Sequence, residues 1–249
     1  MTLVAALVYV VVVTILYGIM LNHLATSRIL ERMAMSLMRF TRAQKFTVQV
    51  ILAWIAYLGC GIIFMVIGML CFPGGRGQFG WSLTWTTVLV ATLGFLAQSS
   101  TSSLGLMGVK AIKPSLRWDQ IVWDIGWVSV SEKLPTGLRV IYPMSSSLVE
   151  EILFRCVMYP IVRAALGGVP GGTWIAIGII AVAFCAQQVL NTQTFWQGVA
   201  MATGSFAVSV IGCLMMEVSG SYLPTIATHM AFALFYTQAF RTGRHQRVM

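Results

Sequence analysis

Ser145-Ser146-Ser147-Leu148-Val149-Glu150-Glu151-Ile152-Leu153-Phe154-Arg155-Cys156-Val157-Met158 puts two carboxylates and a guanidinium into a stretch otherwise apolar enough for a membrane. An ionisable side chain near the bilayer centre costs at least about 2.5–3.5 kcal/mol, so three within six residues need a reason. Glu151 and Arg155 are spaced i,i+4 and share a helix face, where they can form an ion pair. Glu150 is turned about 100° away and is left to address something else. A purely structural network between helices would also account for such a cluster, because buried ion pairs are weak evidence of chemistry. Glu217 is the one further acid expected near hydrocarbon, at a helix end.

The composition around this stretch sets the class. Of the 249 residues, 58% are hydrophobic and 9% charged, against about a quarter charged in an ordinary soluble domain. The reading is an all-α, polytopic integral membrane bundle of about seven transmembrane helices plus one interfacial segment. The expected spans are 3–21, 46–72, 81–108, 138–166, 173–190, 196–217 and 222–240. No A-x-A-like cleavage site follows the first apolar run, which is read as a retained helix. Glycine- and proline-containing turns at 73–75 and 167–172 separate several spans. The stretch 109–137 alternates charge with aromatic anchors, as in Arg117-Trp118 and Trp123-Asp124, and is expected to lie at the headgroups. The division is residues 1–136, three spans with the interfacial segment, and residues 137–249, four spans with the cluster and a basic tail. Within the fourth span Glu150 lies about a dozen residues in, roughly 16–18 Å deep and near the midplane.

Basic residues orient the chain. The first loop holds Arg28, Arg32, Arg39, Arg42 and Lys45; the interfacial segment holds Lys110, Lys113, Arg117, Lys133 and Arg139; the tail holds Arg241, Arg244 and Arg247. These are 13 of the 16 basic residues, all on one side of a seven-span chain. The positive-inside rule then puts the C-terminus in the cytoplasm and the N-terminus outside. The net charge of +9 is a topology signal that also suits membrane lipids as partners. Nucleic acid is not expected as a partner, since the charge is scattered over short loops without a binding motif. The five cysteines sit in or beside apolar segments with no C-x-x-C pair, so neither a disulfide framework nor a zinc site is expected. No H-E-x-x-H occurs, and neither a metal nor another cofactor is expected.

Two further segments carry polar chemistry. Phe184-Cys185-Ala186-Gln187-Gln188 begins an amide-rich patch that continues to Asn191. Ser219-Gly220-Ser221-Tyr222-Leu223-Pro224-Thr225-Ile226-Ala227-Thr228-His229 places one histidine inside the last span. With E-E-x-x-x-R at Glu150, Glu151 and Arg155, these segments resemble the CPBP family over about 145–240. That family includes the type II CAAX prenyl endopeptidases and bacterial relatives linked to bacteriocin self-immunity. Its second motif is F-x-x-x-H and its third H-x-x-x-N or H-x-x-x-D. Phe184 and His229 match the starts of these, whereas Gln188 stands where the second motif has histidine and Ala233 where the third has Asn or Asp.

The resemblance implies catalytic positions at Glu150, Glu151, His229 and Gln188, with Glu150 activating a water, His229 and Gln188 assisting, and Arg155 as structural support holding Glu151. It also implies a bacterial or archaeal cell membrane. Gln188 can donate a hydrogen bond but cannot exchange a proton near neutral pH, and Ala233 donates nothing. The expectation is therefore a degenerate relative that binds or scaffolds a membrane-protein or peptide partner. The alternative is an active glutamate-type intramembrane endopeptidase cleaving a membrane-associated or prenylated peptide. A small-solute transporter fits less well, since no inverted repeat accompanies the polar run 99–103.

Overall fold

A computed structural model describes residues 2–25, 27–41, 44–73, 78–117 and 125–245. Its helices are α1 (Leu3–Ala25), α2 (Arg28–Thr41), α3 (Lys45–Cys71), α4 (Trp85–Ile112) and α5 (Gly126–Lys133). A long interrupted helix follows: α6 (Thr136–Glu151), a π-helical segment Ile152–Met158, and α7 (Tyr159–Ala165). The chain then forms α8 (Gly172–Val189), α9 (Phe195–Ser219) and α10 (Leu223–His245). Among the described residues there is no strand, only one isolated parallel bridge between Gly80 and Ser221.

The membrane character shows in which residues face out. Val8, Ile15, Ile55, Ile63, Leu70, Leu89, Leu93 and Val182 are exposed, while Gln98, Ser102 and Ser209 are buried between helices. A water-soluble fold of this size would not leave so many contiguous apolar side chains outside. Polar and small residues at the helix interfaces are what membrane packing uses. Among the described residues, four helices are long and apolar enough to cross a membrane by themselves: α1, through Leu3–Met20, and α3, α8 and α9.

The seven-span expectation is therefore met only in part. The other three expected spans are present as helices, but each is diluted by polar groups. α4 carries the unbroken polar run Gln98-Ser99-Ser100-Thr101-Ser102-Ser103, α6 with its π segment carries Glu150, Glu151 and Arg155, and α10 carries His229. A larger correction concerns the first loop, since residues 28–41 form the helix α2. The segment has no apolar run of spanning length, which is why it read as a loop; its apolar residues instead recur at helical spacing. Of the interfacial stretch 109–137, the end of α4 and the short helix α5 are described, and residues 118–124 lie outside the described residues. The expected tail begins as helix, with α10 continuing to His245.

The interrupted helix occupies the centre. Leu153, Phe154, Met158 and Tyr159 are wholly buried, in one cluster with Tyr9, Val13 and Tyr17 of α1, Tyr57 and Met65 of α3 and Ile180 and Phe184 of α8. The expected turn at 167–172 is present, with Gly168 and Gly171 at φ of 88° and 72°.

A second turn ties α9 to α10 and to the segment before α4. Gly220 sits at φ 64° and its N–H reaches the Met216 carbonyl. The Gly80 N–H donates to the Gly220 carbonyl at 2.8 Å, and the Tyr222 N–H donates to the Gly80 carbonyl at 3.0 Å. A side chain at left-handed φ costs roughly 1–2 kcal/mol. Gly220→Ala is thus expected to lower stability by about that amount, read as an earlier midpoint in SDS-induced unfolding of the solubilised protein. An unchanged midpoint would mean the turn relaxes freely.

At the same end Arg163, on α7, meets Glu217 at 2.7 Å, and the Tyr159 hydroxyl donates to Glu217 at 2.6 Å. The acid expected at a helix end therefore has a cation and a phenol as partners. At the start of α3, Lys45 pairs with Glu31 of α2 at 2.6 Å. The ammonium holds the Glu31 carboxyl below its ordinary range. A depressed acid contributes above its unfolded pKa, so this clasp loosens as pH falls through the carboxylate range.

Candidate active site

The residues singled out by sequence converge on one cluster. Glu151 and Arg155 are both wholly buried, with the Arg155 Nη1 3.1 Å from Glu151 Oε1. The guanidinium carbon lies 4.0 Å from the centroid of the Phe184 ring, the first residue of the second motif. Charge and ring stacking hold Arg155, since none of its three guanidinium nitrogens makes an aligned hydrogen bond. The π-helical segment begins directly after Glu151. Such widened turns are frequent at functional sites because they re-aim side chains without breaking the helix.

His229 is held on the same carboxylate. Its Nδ1 lies 2.7 Å from Glu151 Oε1, and the Thr225 hydroxyl donates to Glu151 Oε2 at 2.6 Å. Thr225 and His229 are i,i+4 on α10, so one face of that helix supplies both. α9 leaves room for them at Gly212, where an added Cβ would meet the Thr225 Oγ1 at 2.7 Å. Glu151 is therefore the anchor of the cluster, joining the π segment to α10.

Glu150 faces elsewhere, as the 100° offset predicts. It is 9% exposed, and its partners come from α3 and α8. The Tyr57 hydroxyl donates to Glu150 Oε1 at 2.7 Å, with the Gln187 amide at 3.4 Å from the same oxygen. Gln188 Nε2 donates to Glu150 Oε2 at 3.2 Å and to Gln187 Oε1 at 2.7 Å. Gln187 also donates to the Tyr57 oxygen at 3.1 Å, so the phenol and the two amides form one linked clamp.

A cavity of about 110 Å³ opens over this clamp. Its wall includes Glu150, Gln188, His229 and Ala233, together with Trp54, Tyr57 and Tyr142. One water needs about 10–15 Å³ on the same measure, so the space accommodates several. Residues from both 1–136 and 137–249 line it. Ser146 and Ser147, just before Glu150, are also in the wall, although the Ser147 hydroxyl is turned back to the Pro143 carbonyl at 2.8 Å.

Tyr57, Gln187 and Thr225 were not singled out by sequence. Gln187 lay within the amide-rich patch, but nothing distinguished it from Gln188. Tyr57 is one polar aromatic in an apolar span, a position usually filled for packing. Thr225 belonged to the histidine's lead-in without a role of its own.

No curated protein and no solved structure matches the chain. A family model does: that of the type II CAAX prenyl endopeptidases, Rce1-like, over residues 134–235. The matched stretch contains Glu150, Glu151, Arg155, Gln188, His229 and Ala233, and with them much of the cavity wall. The apolar helices and this match, which spans less than half of the chain, make it a membrane protein that is similar to the CAAX protease-like CPBP proteins through residues 134–235.

Proposed function

We propose that this protein is a binding or scaffolding member of its family, one that receives a segment of a membrane protein or peptide in the cavity over Glu150. The observation that carries this reading is the set of partners around Glu150. They are a phenol and two carboxamides, and neither kind of group exchanges protons near neutral pH. The one imidazole of the cluster is bound through Nδ1 to Glu151 instead. Ala233, in the cavity wall, offers no donor. Glu150 therefore has no acid–base group among its hydrogen-bond partners, and such a group is worth about 10²–10⁴ in rate. In the cell we place the N-terminus outside and the C-terminus in the cytoplasm of a bacterial or archaeal membrane, following the basic residues. Membrane lipids are its standing partners; nucleic acid is not one.

The cavity volume favours a second reading, an active glutamate-type intramembrane endopeptidase. Water has room beside Glu150, and His229 lines the same wall with its Nδ1 on Glu151, which leaves Nε2 to accept a proton in the neutral ring. Comparing wild type with Glu150→Gln in native membranes separates the two. Abundance, co-purifying proteins and cleavage products would be followed by mass spectrometry. Equal abundance, unchanged partners and no product dependent on Glu150 are expected. A defined cleavage product lost only in Glu150→Gln would make the protein a working protease.

A further inference from the structure

The helix found where a loop was expected has two faces of different chemistry. On α2, Ile29, Met33 and Leu37 recur every four residues and stay exposed, Ile29 at 71% and Met33 at 47%. Arg28, Arg32 and Arg39 are also exposed. At about 100° per residue these arginines fall within roughly 40° of one another, about 120° around the helix from the apolar stripe. A third face, centred on the wholly buried Ala34, packs on α3, and the Lys45–Glu31 pair closes that contact.

Position along the chain decides what the first two faces meet. α1 and α3 are both apolar enough to cross a membrane, and only two residues separate α1 from α2 and three separate α2 from α3. Those links keep both ends of α2 within roughly 10–15 Å of the ends of the two spans. The 14 residues of α2 make a rod of about 21 Å, too short to cross hydrocarbon about 30 Å thick. A helix so placed lies in the plane of one membrane face. An exposed apolar stripe beside a cationic one is the pattern of helices that sit at the headgroup–acyl boundary.

We propose that α2 is a lipid-binding element. Ile29, Met33 and Leu37 seat in the acyl layer, and Arg28, Arg32 and Arg39 collect the phosphates of anionic phospholipid in that leaflet. The inference is independent of what the Glu150 cavity holds. Each basic side chain near an anionic surface strengthens lipid association about fivefold, so three together contribute about 100-fold.

The test uses the full chain in nanodiscs of phosphatidylcholine with phosphatidylglycerol, released into native mass spectrometry to identify the lipids retained. Wild type is expected to retain phosphatidylglycerol over phosphatidylcholine. Arg28→Gln, Arg32→Gln and Arg39→Gln combined are expected to bring retention close to the disc composition. Lys110→Gln with Lys113→Gln, which removes two positive charges from the end of α4, is expected to leave the preference intact. Equal loss in both variants would reduce the effect to overall charge and overturn the proposal, as would a preference undiminished without the arginines. Ile29→Glu with Met33→Glu probes the apolar stripe separately. It is expected to lower the thermal midpoint in discs by several degrees, and no change would show that the stripe faces water.

Discussion

Arg155→Ala is expected to cost about 3–5 kcal/mol and to strip the protein from membranes, because it leaves Glu151 as a buried charge without its permanent counter-ion. Glu151 is wholly buried, and the partners remaining to it are the Thr225 hydroxyl and His229. The substitution also removes the stacking partner of Phe184 and leaves a void in the wholly packed centre, so truncation and charge act in one direction.

Two further variants tell these effects apart. Glu151→Gln strands the guanidinium in the same way and is expected to be about as harmful. Arg155→Met combined with Glu151→Gln removes both charges, preserves volume and should recover a large part of the loss, since replacing both members of a buried pair is often neutral. SDS-induced unfolding of solubilised protein and steady-state abundance are the measurements. Wild-type stability in Arg155→Ala would show that the pair does not hold the fold, and the guanidinium would then need another role.

What the sequence could show here follows from how far each signal departs from its surroundings. Glu150, Glu151, Arg155 and His229 stood out because ionisable groups in apolar segments are expensive, and the structure gathers all four around one cavity wall and its support. The i,i+4 spacing gave the Glu151–Arg155 pair, and the residual 100° gave Glu150 a separate direction. Tyr57 gave no such signal: a tyrosine in an apolar span is unremarkable until a carboxylate 93 positions later is folded against it. Gln187 and Gln188 illustrate another limit. The motif pointed to Gln188, while adjacency on α8 lets both amides reach Glu150, which pattern alone does not distinguish. α2 was missed because hydropathy was read for spans, and an in-plane helix has little mean hydropathy to offer; its information lies in period and not in sum. Hydropathy separates α4 and α10 from the four apolar helices for a similar reason: Gln98, Ser102, Thr225 and His229 are buried against other helices and lower the mean apolarity of the helices that carry them.

Gln188→His together with Ala233→Asn is expected to raise Glu150-dependent hydrolysis by at least about 10², since a proton-exchanging group and an oxyanion donor are each worth that much or more. The positions are suited to it. Gln188 Nε2 already lies 3.2 Å from Glu150 Oε2, so a ring nitrogen on the same backbone site enters the same space. Ala233 is one turn beyond His229 on α10 and lines the same cavity, so a carboxamide there enters the space that His229 borders. Because Ala233 is buried, the larger side chain carries an overpacking cost of about 1–3 kcal/mol, and abundance must be measured beside activity. The assay is cleavage of a prenylated C-terminal peptide in proteoliposomes, with Glu150→Gln added to the double variant as the control. Activity that appears in the double variant and vanishes in the triple would show an intact framework lacking two groups, the condition under which a hydrolase becomes a binder. A folded double variant with no Glu150-dependent product would place the loss of function in the geometry of the Tyr57–Gln187 clamp itself. Tyr57→Phe, which removes the shorter of the two hydrogen bonds to Glu150 Oε1 and leaves only the Gln187 amide at 3.4 Å, then becomes the variant in which activity should return.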